Sequence, residues 1–178
     1  MKITDMSTAL RAFILFVTLF ATPLLANPSM AQAVSGEAFK GFSSGGDEPI
    51  QINSRKVEIV DAEKRTKLSG GVKVTQGSSV ITSDQLDVYY LDGDNGDVDR
   101  LVFVGNVVAT SGENIATSNK ATYFQSQNLV ILEGDVVVSQ GDNVAQGCKL
   151  TAYMDTNRAT MDSCGQSIRI QINPSRKN

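Results

Sequence analysis

The densest group of potential metal ligands in the sequence is Asp92-Gly93-Asp94-Asn95-Gly96-Asp97. Carboxylate and amide oxygens of this kind are the ligands that calcium prefers. A calcium loop of the EF-hand type needs its glycine one residue later, and a glutamate at its twelfth position, where this chain has Phe103. Asp-Gly and Asn-Gly are also the preferred residue pairs of tight β-hairpin turns. We therefore predict a solvated hairpin tip and no metal site, with calcium binding as the alternative.

Cys148 and Cys164 are the two cysteines of the chain, and a disulfide is the chemistry that they offer. Both are equally distant from Thr156, so a hairpin turn at residues 155–158 would place them opposite each other within bridging range. A disulfide that closes a loop of this size stabilises a fold by about 3 kcal/mol. We predict this bond. Two free thiols, or pairing with another chain, are the alternatives.

Residue types that perform catalysis are scarce in this sequence. It has no histidine, which removes the commonest general base and metal ligand, and it also has no tryptophan. It has no glycine-rich phosphate loop, serine nucleophile elbow or Cys-x-x-Cys pair. We predict that the protein is not an enzyme and uses no cofactor. The net charge of −3 supplies no basic excess to attract nucleic acid.

The N-terminal segment has the three parts of a secretory signal. Lys2 and Arg11 precede an apolar run at residues 12–25, and Ala31-Gln32-Ala33 forms a small-x-small cleavage site. The run is shorter than the roughly 20 residues that a membrane-spanning helix needs. We predict a cleaved signal peptide at residues 1–33 and export to the oxidising periplasm, where a disulfide persists. An uncleaved membrane anchor is the alternative.

The rest of the chain divides by composition. Residues 34–49 are rich in glycine and serine and have no hydrophobic period, which is typical of a flexible arm. From Ile50 onward, short apolar stretches alternate with Gly, Asn, Asp and Ser turns, a pattern of short β-strands. We predict one β-domain at residues 50–174 that ends in a strictly alternating strand, followed by a flexible tail at residues 175–178.

An internal repeat is the strongest pattern in the predicted domain. Residues 70–77 recur as residues 105–112 and again as residues 134–141, each time beginning with glycine and carrying valine two positions later. A partial fourth unit at residues 52–59 echoes residues 81–88. The first unit is longer than the second, as the starts at residues 70, 105 and 134 show. Its extra residues fall in the Asp-rich segment at residues 92–97, which supports the interpretation of that segment as a longer turn.

The apolar residues of the three units align in columns separated by even numbers of residues, and along straight strands such residues point to one face. The columns are Leu68/Phe103/Leu132, Val72/Val107/Val136, Val74/Ala109/Val138, Val80/Ile115/Val144, Leu86/Ala121/Leu150 and Val88/Tyr123/Ala152. A single unit cannot cover its own apolar face, so the units must stack. We predict an all-β fold, an elongated antiparallel jelly roll or half-pipe whose apolar columns line the interior along the long axis.

The Gly-x-Val-x-Val-x-Gln-Gly element of residues 70–77, followed by Ile/Val-x-Thr/Ala-x-x-Leu/Ala and an aromatic residue, resembles the OstA-like β-jelly-roll family of lipopolysaccharide-transport proteins. The resemblance covers about residues 50–162. It implies a periplasmic half-pipe that binds the acyl chains of lipid A in its groove. It also implies end-to-end docking, with further copies and with inner-membrane and outer-membrane proteins of the same transport system.

Within this resemblance, the larger members of the apolar columns are the expected contacts with lipid. The predicted groove residues are Val72, Val74, Leu86, Phe103, Val107, Ile115, Tyr123, Leu132, Val136 and Leu150. The columns are equally compatible with a sealed core that binds nothing. The same sequence would also suit an inner-membrane-anchored component of the same system, a carbohydrate-active or adhesive β-solenoid, or a purely structural envelope domain.

Overall fold

The alternating segments after Ile50 form ten β-strands and one 3-10 turn at Asp61–Glu63. The computed structural model describes residues 48–93 and 96–173. The predicted signal peptide, the predicted arm up to residue 47 and the predicted tail lie outside the described residues. The strands are β1 (Gln51–Asn53), β2 (Lys56–Val60), β3 (Arg65–Gln76), β4 (Ser79–Tyr90), β5 (Val98–Ser111), β6 (Asn114–Phe124), β7 (Leu129–Gln140), β8 (Asn143–Tyr153), β9 (Arg158–Asp162) and β10 (Arg169–Gln171).

All ten strands belong to one antiparallel sheet, which confirms the predicted all-β class. The long strands β3 to β8 form a meander in which each strand pairs with the next. At one end of the sheet, β2 and β1 pair with the two halves of β3. At the other end, β9 and β10 pair with the two halves of β8. The outermost position at each end of the sheet is therefore shared by two short strands.

The sequence pattern predicts that glycines separate short strands. Gly70, Gly105 and Gly134 instead lie in the middle of long strands. Strands β3 and β5 are 12 and 14 residues long, and both run through their glycine. The strand register shifts at each of these points, so the glycine and its successor form a β-bulge. In two units the backbone repeats closely, with φ of +78° at Gly105 and Gly134 and +48° at Asn106 and Asp135. Bulges bend a strand and increase its twist.

The bulges divide each long strand into two halves whose apolar residues share one core. Leu68 and Leu132 precede a bulge, Val72 and Val136 follow one, and all four are buried in the same cluster. Among the described residues this sheet is the sole layer. Because a buried face needs a cover, the two halves cover each other. This arrangement matches the predicted half-pipe.

One predicted column faces the wrong way. Ile115, from the Val80/Ile115/Val144 column, is 43% exposed. Strands β3 and β4 are joined by a two-residue turn, so that Val74 lies opposite Ile81 and Thr75 lies opposite Val80. Paired residues share a face, and across such a turn they are an odd number of positions apart. The even-number rule holds along a straight strand and fails across the hairpin.

Candidate functional site

An open cavity of about 550 Å³ lies between the two halves of the sheet. Its wall comes from β1 and from β3 to β7, and it is predominantly apolar. Because residues from both sides of the bulges line it, the cavity exists only through the folding of the sheet onto itself. The apolar lining residues are Ile50, Ile52, Val74, Ile81, Leu86, Val88, Tyr90, Val98, Leu101, Phe103, Val107, Ala109, Ala116, Ala121, Tyr123, Val130 and Leu132.

Six of the ten predicted groove residues line this cavity. They share positions on the inward face of β3 to β7, and they come from both halves of the sheet. They are Val74, Leu86, Phe103, Val107, Tyr123 and Leu132. Tyr123 also donates its hydroxyl proton to Asn128 Oδ1 at 3.2 Å, which orients the ring at the cavity wall.

The other four predicted groove residues lie elsewhere. Val72, Val136 and Leu150 are buried in the core, away from the cavity. Ile115 points to the outer face because of the hairpin parity described above. These positions correct the expected geometry of the groove. Whether the six lining residues contact lipid stays a prediction.

The cavity ends before β8, so it does not run the full length of the stack as predicted. No lining residue comes from β8, β9 or β10. At this end Gly147 occupies the repeat position that Ser83 and Ser118 hold in the other units. A Cβ added at Gly147 would lie 2.6 Å from Met161 Cγ. The Met161 side chain thus packs where the other units carry a serine, and it helps to close the C-terminal end.

Two buried polar side chains of the inward face, both outside the cavity wall, are hydrogen-bonded to their own backbone. The buried Ser83 hydroxyl donates to the carbonyl of Gln85 at 2.9 Å. The buried Ser118 hydroxyl donates to the carbonyl of Lys120 at 3.0 Å. A hydroxyl that is bonded to its own backbone places no unsatisfied donor in the apolar interior. This interior suits a hydrocarbon better than a polar ligand.

Polar residues mark the mouth of the cavity. Exposed Glu48 and half-buried Gln76 line one side of it, next to the buried Ser79. The Gln76 Nε2 donates to the Glu48 carbonyl at 3.2 Å, and the Ser79 hydroxyl donates to Ser111 Oγ at 3.1 Å. An apolar interior with a polar margin fits an amphipathic ligand, whose head group stays in water while its tails are buried.

Several lining residues were not among the predicted groove residues. Ile81 and Ala116 fall next to the outward-facing column, and pairing across the hairpins turns them inward. Tyr90 and Val98 lie where β4 ends and β5 begins, so they flank the Asp-rich segment. If the inward–outward alternation is shifted by one residue at each two-residue Gly-x turn, the sequence pattern identifies Ile81 and Ala116 as inward-facing.

The Asp-rich segment connects β4 to β5, as predicted for a hairpin tip, and the Leu91 amide donates to the Asp97 carbonyl at 2.9 Å. Among the residues that the structure describes, which exclude 94 and 95, no three His, Cys, Asp or Glu side chains are grouped to hold a metal. Over the same residues, no helix is long and apolar enough to cross a membrane.

The predicted disulfide is present. Cys148 and Cys164 are bonded, with their Cα atoms 5.9 Å apart. The two cysteines are not directly opposite each other, as the prediction had placed them. The hairpin pairs Tyr153 with Arg158, so its centre lies half a residue before Thr156. Cys148 therefore lies within β8, whereas Cys164 lies beyond the end of β9.

Apolar side chains are exposed at both ends of the sheet. Ile52 on β1 and Ile59 on β2 are exposed at the N-terminal end. Ile168, Ile170 and Ile172 on and around β10 are exposed at the C-terminal end. Terminal strands also present backbone donors and acceptors that no neighbouring strand uses. Both ends can therefore accept a further strand.

Comparisons with known proteins agree with this architecture. The solved structure of LptH, described as the LptA homologous periplasmic component of the conserved lipopolysaccharide transport device from Pseudomonas aeruginosa, superposes with a TM-score of 0.62. It shares 22% sequence identity and covers 72% of this chain and 97% of its own. At this identity the similarity establishes the fold, an LptA-like jelly roll.

The sequence comparisons establish the family. An uncharacterized protein of Rhizobium meliloti (strain 1021) is 36% identical over 158 residues, which are 85% of this chain and 84% of that protein. Residues 51–158 match the model of the family described as LptA/(LptD N-terminal domain) LPS transport protein. The matched region contains all three repeat units and the whole cavity wall apart from Glu48 and Ile50. The chain therefore belongs to the LptA/(LptD N-terminal domain) family of lipopolysaccharide-transport proteins.

Proposed function

We propose that this protein is a periplasmic carrier that holds the acyl chains of lipid A in the cavity and passes lipopolysaccharide towards the outer membrane. The observation that carries the proposal is the open apolar cavity of about 550 Å³, lined by six of the predicted groove residues. Family membership supports the choice of lipopolysaccharide as the ligand. In this role the protein binds and transfers, and it catalyses no reaction.

The energetics favour an acyl chain as the occupant. Burial of each methylene group contributes about 0.8 kcal/mol. The cavity wall is predominantly apolar, so a hydrocarbon tail there contacts mainly apolar side chains. The sugar head group can remain at the polar mouth, near Glu48 and Gln76.

The proposed route to the periplasm uses the N-terminal signal. Residues 1–33 would be removed, and residues 50–174 would form the domain, preceded by residues 34–49 and followed by residues 175–178. N-terminal sequencing of the protein purified from the periplasm tests this division. A new N-terminus at Val34 is expected, whereas an intact Met1 on a membrane-bound protein would favour the anchored alternative.

The proposed bridge is built by strand addition at the two ends of the sheet. Strands β1 and β2 would pair with the C-terminal end of the preceding subunit, and β10 with the N-terminal end of the next one. Exposed isoleucines at both ends supply apolar surface for such a contact. The terminal subunits would meet the inner-membrane and outer-membrane proteins of the transport system in the same way.

Photocrosslinking to lipopolysaccharide tests the carrier role. A photoreactive side chain replaces Phe103 or Tyr123 on the cavity wall, and in matched controls it replaces Ile115 or Lys73 on the outer face. Ile115 is the sharper control, because it is apolar and lies on the same sheet but points outward. Crosslinks at Phe103 and Tyr123 alone are expected. Equal yields at Ile115, or none at any position in folded protein, would refute the proposal.

A further inference from the structure

Two of the three central bulges, those of β5 and β7, are each spanned by a pair of polar side chains from neighbouring strands. The Asn106 Nδ2 donates to Asp84 Oδ2 at 2.9 Å across the β4–β5 pair. The Asn119 Nδ2 donates to Asp135 Oδ2 at 3.2 Å across the β6–β7 pair. These two contacts occupy the same position in successive repeat units. We call each such pair a clasp, because it ties a bulge to the strand before it.

The disulfide occupies the next clasp position. Cys148 follows Asn119, and Cys164 follows Asp135, by the same 29-residue offset that separates the repeat units at Gly105 and Gly134. Cys164 also has the backbone conformation of its counterparts, with φ of +48°. The Cys148–Cys164 bond is therefore a covalent version of the two hydrogen-bonded clasps.

Cysteine is an unusual residue for this backbone conformation. Asn and Asp enter the left-handed region readily, because their short polar side chains bond locally. Cysteine has no such compensation, so the bond to Cys148 is what holds Cys164 there. Cys164 is also exposed, whereas Cys148 is half-buried, and an incoming thiol can therefore reach the Cys164 sulfur.

The disulfide lies between the two short strands that pair with β8 at this end of the sheet. Strand β9 ends with Asp162 opposite Lys149, and β10 begins with Arg169 opposite Gln146. Six residues separate β9 from β10, whereas only two residues of β8 separate their pairing partners. The segment between β9 and β10 therefore leaves the regular strand path, and it contains Cys164. Strand β10 itself makes three register pairs and is exposed along its length. Such a short strand depends on an external constraint to stay paired.

We propose that the Cys148–Cys164 disulfide is a reducible clasp that keeps β10 on the sheet. A dithiol reductant supplies the two electrons. Its thiolate attacks Cys164 Sγ, the bond between the two cysteines breaks, and Cys148 leaves as a thiolate that takes up a proton. The second thiol of the reductant then displaces Cys164 as a thiol and leaves an oxidised reductant. Strand β10 detaches, and the edge of β8 at residues 144–146 becomes free.

The consequence for transport rests on the proposed function, since β10 is one of the two ends through which subunits are proposed to pair. The clasp itself does not rest on it. Its test therefore reads the local stability of β10 in the isolated protein, at a concentration where no assembly occurs. Failure of lipopolysaccharide binding or of assembly would leave that readout unaffected.

Hydrogen exchange measured by mass spectrometry on the full mature chain is the direct test. After treatment with a dithiol, the amides of β10 are expected to exchange at least about tenfold faster, while those of β4 and β5 are unchanged. The Cys148→Ser, Cys164→Ser double variant should behave like the reduced protein and show no response to the dithiol. Unchanged exchange at β10 after complete reduction would overturn the proposal.

The repeat supplies a rescue variant. Cys148→Asn combined with Cys164→Asp reproduces the Asn119–Asp135 clasp at the disulfide position. This variant is expected to protect β10 more than the double serine variant does, with no sensitivity to reductant. If it exchanges as fast as the double serine variant while β4 and β5 remain protected, the disulfide is not equivalent to the polar clasps.

Discussion

The side chain of Met161 packs directly against Gly147, where a Cβ would lie only 2.6 Å from Met161 Cγ. This contact joins β9 to β8 at the closed end of the cavity. Met161 is half-buried and packs against the core at this end, where no residue of β8 or β9 lines the cavity.

Gly147→Ser is expected to destabilise the protein by about 1–3 kcal/mol, because the new side chain overlaps Met161 and the backbone of Asp162. Chemical denaturation measures the change. Adding Met161→Ala should make the effect of the serine smaller, since the overlap with the methionine is removed. If the two substitutions are simply additive, the contact does not close this end.

Gly134→Ala is expected to cost about 1–3 kcal/mol, because Gly134 has φ of +78° and a Cβ there would lie 2.7 Å from Asn119 Nδ2. Pairing it with Asn119→Ala removes the overlap with Nδ2 and leaves the backbone cost together with the contact to Asn119 Cβ at 2.9 Å. Thermal or denaturant unfolding of the single and double variants separates the two contributions. A neutral Gly134→Ala substitution would contradict the role assigned to the bulge.

Ala116→Leu is expected to weaken lipopolysaccharide binding about tenfold, because the added carbon atoms occupy cavity volume that an acyl chain would fill. Thr117→Leu is the matched control, since Thr117 is adjacent on β6 and absent from the cavity wall. A fluorescent lipopolysaccharide displacement assay compares the two variants. Equal affinities would place the ligand elsewhere on the protein.

Ile170→Lys is expected to reduce end-to-end assembly, because it places a charge in the exposed apolar row of β10. Ile115→Lys is the control, as it adds the same charge at an exposed isoleucine in the middle of the sheet. Light scattering over a range of concentrations measures assembly. Loss of assembly in both variants would indicate a general effect of charge rather than pairing through β10.

Much of the architecture could be predicted from the repeat. Alternating residues, the Gly-x-Val units and the resemblance to a known family were sufficient for the fold class and for Val74, Leu86 and Phe103 on the cavity wall. The disulfide was also predicted correctly, although Cys164 lies beyond β9. The wrong facing of Ile115 has a local cause, the two-residue turn between β5 and β6.

The sequence by itself determined the β-strand pattern, the repeat and the set of apolar residues available for an interior, because side-chain alternation is a local property of the extended chain. Tertiary structure decided which of those residues line a cavity and which are sealed. Val107 and Val136 occupy the same column of the repeat, yet only Val107 reaches the cavity. The difference arises from how the two sheet halves approach each other, and from what packs at each end of the stack, such as Met161. Those contacts join residues distant in sequence, and no local pattern encodes them.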